Sequence, residues 1–233
     1  MRKKVRVLKA VVLALTAGFP AVVVDGPYED GVDAVRRGDQ ATAIRLLRPL
    51  AEQGNASAQF ALGLMYSWGR DEARQDHAEA VKWYRKAAEQ GDVVAQSNLG
   101  LMYSWGHDGV PQDYAEARKW YGRAADQGDA IAQFNLGLMY ANGQGVPQDH
   151  AEAAKWYRMA ADRGNDFAKL ALGRMYAEGQ GVPRDDVEAH KWSSLAGARG
   201  TTTRDHVAGR MTPAQIATAR ELAANWTPIT ATK

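Results

Sequence analysis

Small and apolar side chains recur along this chain with the period of an α-helix. Between residues 55 and 67 they are spaced three and four positions apart, whereas a half-buried strand would alternate at every second position. The members of this first stretch are Ala58, Ala61, Leu62, Met65 and Tyr66. The pattern therefore predicts a helix, which we name helix A.

Glycine and proline end each A helix before a second helix, B, begins. The later breaks read GHDGVP at 106–111 and GQGVP at 143–147 and 179–183, and neither residue continues a helix without cost. Helix B is predicted to start after an aspartate cap, at Asp76, Asp113, Asp149 and Asp185. A glutamate three residues on is expected to bond back to the cap amide, and a lysine three residues further to pair with that glutamate.

The A and B helices recur together as a unit. Its period is set by five glycines spaced 37, 37, 36 and 36 residues apart: Gly54, Gly91, Gly128, Gly164 and Gly200. Four Leu-Gly pairs and four tryptophans recur in phase with them. Such a period indicates a solenoid, in which each helix pair buries its apolar face on its neighbours. The first four glycines are expected to end B helices in the left-handed conformation.

The repeated unit reads A-Q-x-x-L-G-x-M-Y-x-x-G-x-G-V-P-x-D-x-x-E-A-x-K-W-Y-x-x-A-A-x-x-G. It resembles the Sel-one-like repeat, a branch of the tetratricopeptide (TPR) superfamily. Four copies cover residues 55–197, and residues 25–54 look like a divergent N-terminal half-repeat. The resemblance implies an all-α fold, a right-handed α-solenoid of helix-turn-helix repeats. In the first copy Glu72, Ala73 and Arg74 replace GVP, so we expect a less fixed loop there.

The two ends of the chain differ from the repeats. At the C-terminus, residues 198–233 are predicted to be a loop, up to residue 211, and a capping helix at 212–226 that starts with Thr212-Pro213. At the N-terminus, residues 1–24 have five bases and then short apolar runs broken by Pro20, which is typical of a secretory signal peptide. Small residues at Thr16 and Gly18 suit a cleavage site. We predict export to the periplasm or exterior; the alternative is an uncleaved tail on a cytoplasmic protein.

Composition narrows the classes of function. Removal of residues 1–24 would leave a net charge of −3, because five of the 29 bases and none of the 27 acids lie there. Binding to nucleic acid is therefore not expected, and the apolar runs are too short for a membrane span. The chain has no cysteine, which excludes disulfides and a lipid-bearing cysteine.

Residues capable of catalysis are sparse. No Ser-x-x-Lys, H-E-x-x-H, G-x-S-x-G or P-loop motif is present. The histidines are interpreted as exposed residues without partners: His77 and His150 early in B helices, His190 later in its helix, and His107 and His206 alone in loops. We expect no cofactor, metal site or catalytic residue.

A second stripe of helix A, which varies among the copies, is the predicted partner-binding surface. By resemblance to related solenoids, helix A lines a groove, and aromatic anchors suit such a groove because they bury much area for little lost entropy. The candidates are Phe60, Leu64, Trp68, Leu101, Trp105, Phe134, Leu138 and Arg174. The same stripe continues through Val94, Ile131 and Phe167. The alternative is structural: Phe60, Phe134 and Phe167 would pack against the preceding B helix, and Trp68 and Trp105 would lie in the core.

The sequence thus favours a noncatalytic scaffold that binds a protein or peptide. Two alternatives remain at this point. One is an enzyme of the β-lactamase or penicillin-binding type, to which cysteine-rich members of the repeat family have been linked. The other is a passive structural or self-assembling array.

Overall fold

The computed structural model describes residues 26–68 and 75–229, which contain twelve α-helices, a short 3-10 helix at Gly197–Gly200 and no strand. The predicted leader, 1–24, and the replaced loop motif at 72–74 lie outside the described residues. In chain order the helices are α1 Pro27–Arg37, α2 Gln40–Glu52, α3 Ala56–Ser67, α4 His77–Glu89, α5 Val93–Trp105, α6 Tyr114–Asp126, α7 Ala130–Asn142, α8 His150–Asp162, α9 Asp166–Glu178, α10 Asp186–Leu195, α11 Thr201–Ala208 and α12 Pro213–Ala224.

The chain forms two compact units, with the boundary between Gln112 and Asp113. The first unit contains α1 to α5 and the second α6 to α12. Within each unit a helix packs mainly on the helices before and after it in the chain, which is the contact pattern of stacked repeats. The predicted all-α solenoid of A and B helices is therefore confirmed: α3, α5, α7 and α9 are the A helices, and α4, α6, α8 and α10 follow them as B helices.

The start of each B helix is confirmed in one respect and corrected in another. The cap aspartates accept hydrogen bonds as predicted, for example Asp76 Oδ1 from the Glu79 amide at 2.8 Å. The amide of Asp76, however, donates to the carbonyl of Tyr66 in the preceding A helix at 3.0 Å. The glutamate is thereby free for other contacts, and Glu79 binds Lys82 and the indole N–H of Trp83. The expected bond from glutamate to cap amide is wrong because helix A already provides an acceptor.

Glycine is required at two kinds of position. Gly54, Gly91, Gly128 and Gly164 end their helices with φ between 88° and 96°, as predicted, and other residues adopt this conformation only under strain. The glycine of the Leu-Gly pair is needed for space instead. A Cβ on Gly63 would lie 2.5 Å from the ring of Tyr84, and one on Gly137 would lie 2.5 Å from the ring of Tyr157. These two A helices, α3 and α7, therefore touch the tyrosines of their own B helices.

The C-terminal end contains a helix that the sequence analysis missed. The capping helix is confirmed as α12, with Thr212 and Gln215 forming a reciprocal capping box. The predicted loop up to residue 211 is wrong, because it contains the 3-10 helix and α11. Arg210, after α11, donates to Asp186 on α10 and to the carbonyl of Ala177 on α9, both at 2.8 Å. The hydrogen bond from Arg210 lowers the pKa of Asp186. Together, the two contacts of Arg210 hold the segment after α11 against the last repeat.

Candidate functional site

In the first unit, the predicted surface contains two exposed tryptophans at the ends of A helices. Trp105 at the end of α5 is 70% exposed, and Trp68 directly after α3 is 49% exposed. Val94 at the start of α5 is also exposed, and Leu101 between them is half-buried. The structural alternative for the two tryptophans, burial in the core, is therefore wrong for the residues that the structure describes.

Two predicted residues of the first unit lie elsewhere. Phe60 and Leu64 are only 2% and 5% exposed. The ring of Phe60 packs 5.9 Å from that of Tyr84 on α4, which is the following B helix rather than the preceding one. Both side chains belong to the packing between α3 and its neighbours, and we leave them out of the surface considered below.

In the second unit the exposed part of the stripe begins at the amino ends of the A helices. Ile131, the second residue of α7, is 60% exposed, and Phe167, the second residue of α9, is 52% exposed. Phe134 and Leu138 are half-buried and Arg174 is exposed. The Phe134 ring lies 5.9 Å from that of Phe167 and 5.6 Å from that of Tyr157. Phe134 therefore both packs on its own B helix and extends the apolar surface of Phe167.

The histidines are not the isolated exposed residues that the sequence suggested. The rings of His77, at the start of α4, and His107, in the loop after α5, are stacked with their centroids 4.3 Å apart. His190 is buried on α10, and His206 lies in α11, 3.1 Å from Arg210. In the second unit His150 contacts Gln180 at 3.2 Å. The first residue of a B helix thus contacts the next inter-helix loop in each unit. The two partners are 30 residues apart, so the sequence alone does not show the contact.

The stability of the His107 loop is expected to depend on pH. Burial, and next the charge of His77, lower the pKa of His107, although Asp108 acts in the opposite direction. Because this pKa is below the unfolded value of about 6.5, the loop has its full stability above pH 6.5 and loses stability as the pH falls below that value. His107→Gln, which introduces the residue found at 144 and 180, should lose less stability on acidification.

Urea unfolding of both proteins between pH 8 and pH 5 measures this effect. As the pH falls, the free energy of unfolding of the wild type should decrease more than that of the variant. A difference that stays constant over this range would contradict the assigned role of the histidine pair.

Other kinds of site are absent from the described residues, which contain no group of three or more His, Cys, Asp and Glu that could hold a metal ion. Among the helices of residues 26–68 and 75–229, none has the length and apolarity needed to cross a membrane. The stripe of the A helices is the surface left for a functional interpretation.

Successive A and B helices, left-handed glycines between them and a terminal capping helix define an α-helical repeat protein of the TPR-like class. The family model of the Sel1 repeat matches five consecutive segments, 26–55, 56–92, 93–129, 130–165 and 167–201. The chain therefore belongs to the Sel1 repeat family. The first matched segment is the one that the sequence analysis interpreted as a divergent half-repeat.

Two solved structures are similar to this chain, and the first of them agrees with this assignment. A Sel1 repeat protein from Oxalobacter formigenes is 30% identical, with a TM-score of 0.67, over 97% of this chain and 96% of that one. A protective antigen of uropathogenic Escherichia coli with an SLR fold is 32% identical, with a TM-score of 0.49, over 79% of this chain but only 48% of its own. No curated protein matches the chain. Sel1 repeats generally mediate protein–protein interactions, and proteins of this family are generally noncatalytic scaffolds.

Proposed function

We propose that this protein is a noncatalytic scaffold that binds a protein or peptide partner along its A helices, and that it is exported to the cell envelope or beyond. The observation that carries the proposal is the exposure of large apolar side chains at the ends of the A helices, at one equivalent position within each unit. Trp68 and Trp105 end such helices in the first unit, and Ile131 and Phe167 begin them in the second.

Burial of these side chains by a partner would be favourable. A buried aromatic side chain removes about 150–250 Å² from water, and large rigid side chains dominate the energetics of interfaces. The outer faces of the B helices are different in kind, since they carry exposed pairs such as Lys82 with Glu79 and Lys155 with Glu152. A partner would therefore be expected on the A helices rather than on this charged face.

Photo-crosslinking in the native cell tests the binding surface. A photoreactive residue at Trp105 should capture a partner that the same residue at Lys82, a well-exposed position on α4 of the same unit, does not. Capture of the same proteins from both positions would contradict the proposed surface.

Trp105→Ala should reduce the capture of a partner while changing the free energy of unfolding by less than about 0.5 kcal/mol, the usual range for surface substitutions. The reason is that the side chain is 70% exposed. Partner capture would be measured with the crosslinker placed at Val94 on the same helix, and stability by urea unfolding. A loss of stability above about 1.5 kcal/mol, typical of core changes, would contradict the assignment of Trp105 to the binding surface.

Export is a separate part of the proposal and rests on the sequence of residues 1–24. Cell fractionation followed by N-terminal sequencing tests it. The mature chain is expected outside the cytoplasm, starting between Phe19, which follows the small residues Thr16 and Gly18, and Asp25, which follows the predicted leader. An intact chain that begins at Met1 and stays in the cytoplasm would contradict export and leave the binding proposal untouched.

A further inference from the structure

The residue before the glycine that recurs once in each copy changes along the chain. It is glutamine in the first three copies and arginine in the last two, at Gln53, Gln90, Gln127, Arg163 and Arg199. In the first unit Gln90 reaches back to the A helix of its own copy, where it donates to Gln59 at 2.7 Å. In the second unit Arg199 reaches back in the same way, and its guanidinium lies 4.7 Å from the ring centroid of Phe167.

The two arginines stand beside the exposed apolar residues of the second unit. Phe167 is covered on part of its surface by Arg199, yet half of its area remains in solvent. Arg163 extends over Gly128, with its Nε 3.1 Å from the point that a Cβ on that glycine would occupy. Gly128 is three residues before the exposed Ile131. Arg199 therefore lies on the exposed Phe167, and Arg163 lies beside the segment that leads into the helix of Ile131.

The arginines of this part of the second unit are not held in salt bridges within the described residues. Arg163, Arg174 and Arg199 are all exposed, and none of them forms a salt bridge among residues 26–68 and 75–229. Asp166, next to Phe167, is already paired with Lys169 at 3.0 Å. Glu178, the exposed acid of α9, is at the opposite end of that helix, about 16 Å along its axis at 1.5 Å per residue.

We propose that Ile131, Phe134, Arg163, Phe167 and Arg199, together the arginine-aromatic patch, bind an acidic peptide segment in which an aliphatic or aromatic side chain is flanked by Asp or Glu. This inference rests on the proposed function and names the chemistry of the partner. The apolar side chain covers Ile131 and Phe167, and the carboxylates accept hydrogen bonds from the guanidinium groups, whose planar geometry matches them. Stacking on Phe167 orients Arg199 before the peptide arrives.

Selection from a display library of random twelve-residue peptides on the full chain tests the inference without knowledge of the natural partner. The wild type is expected to enrich peptides that combine acids with an aliphatic or aromatic residue. The double variant Arg163→Glu/Arg199→Glu should bind these peptides at least about tenfold more weakly, as charge reversal opposes a complementary charge, and should itself enrich basic peptides. Arg118→Glu is the matched control, because Arg118 is exposed on α6 of the same unit; it should change affinity by less than about twofold.

The possible failures are distinguishable. Enriched peptides without acids, or acidic peptides whose affinity is unaffected by the double variant, would overturn this inference while a peptide-binding scaffold remains. Equal binding of acidic peptides with and without an apolar residue would also overturn it, because the patch would then be a general site for polyanions. A library from which nothing is enriched would overturn the proposed function together with the inference.

Discussion

Gly137→Ala is expected to lower the free energy of unfolding by about 1–3 kcal/mol, the typical cost of overpacking a core. The new Cβ would lie 2.5 Å from two ring atoms of Tyr157. This ring cannot easily move away, because Tyr157 is only 4% exposed and its ring also packs against that of Phe134. Burial also raises the pKa of Tyr157 to about 12, which is consistent with a ring that water hardly reaches.

A second glycine of the same unit provides the matched control. Gly122 lies within α6, and a Cβ added there would meet no heavy atom within 4 Å. Gly122→Ala should therefore stabilise the protein by about 0.5–1 kcal/mol, the difference in helix propensity between the two residues. Urea unfolding followed by circular dichroism measures both. Changes of the same sign in the two variants would contradict the assigned contact between α7 and α8.

The sequence predicts those features that depend on neighbours along the chain. A helix cap such as Asp76 and a left-handed glycine such as Gly91 act within four residues, so their patterns are complete in the sequence. The start of α12 is predicted for the same reason. Helix α11 was missed because residues 201–208 are mostly polar and show no clear apolar periodicity. Val207 alone is buried in that helix.

Features that depend on residues far apart in sequence could not be predicted in this way. The spacing of His77 and His107 does not reveal that their rings are stacked. The sequence locates the stripe of helix A. It does not show which phenylalanine of the stripe is buried, as Phe60 is, and which is exposed, as Phe167 is. Arg199 was overlooked as a possible binding residue because its contact with Phe167 joins the end of one helix to the start of another.

The four tryptophans of the B helices show most clearly what the sequence does not predict. They occupy one motif position and yet have different surroundings. Trp192 is fully buried, donates to Glu188 at 2.8 Å and lies edge-on to Trp226. Trp156 is half-buried, and its indole nitrogen is shielded from water without a hydrogen-bond partner in the part of the chain that the structure describes. The motif position therefore predicts that each tryptophan lies in a B helix. It does not predict how much each tryptophan contributes to the free energy of unfolding.

Trp192→Ala is accordingly expected to cost about 3–5 kcal/mol, the range for a fully buried aromatic residue, and Trp156→Ala about half as much because less area is buried. Phenylalanine separates packing from hydrogen bonding. Trp192→Phe removes the donor to Glu188 and should destabilise by about 1–3 kcal/mol, whereas Trp156→Phe removes an N–H that is already unsatisfied and should be close to neutral. Urea unfolding of the four variants gives the comparison. Equal costs at 156 and 192 would mean that the repeat motif, rather than the surroundings of each copy, sets the energy of this position.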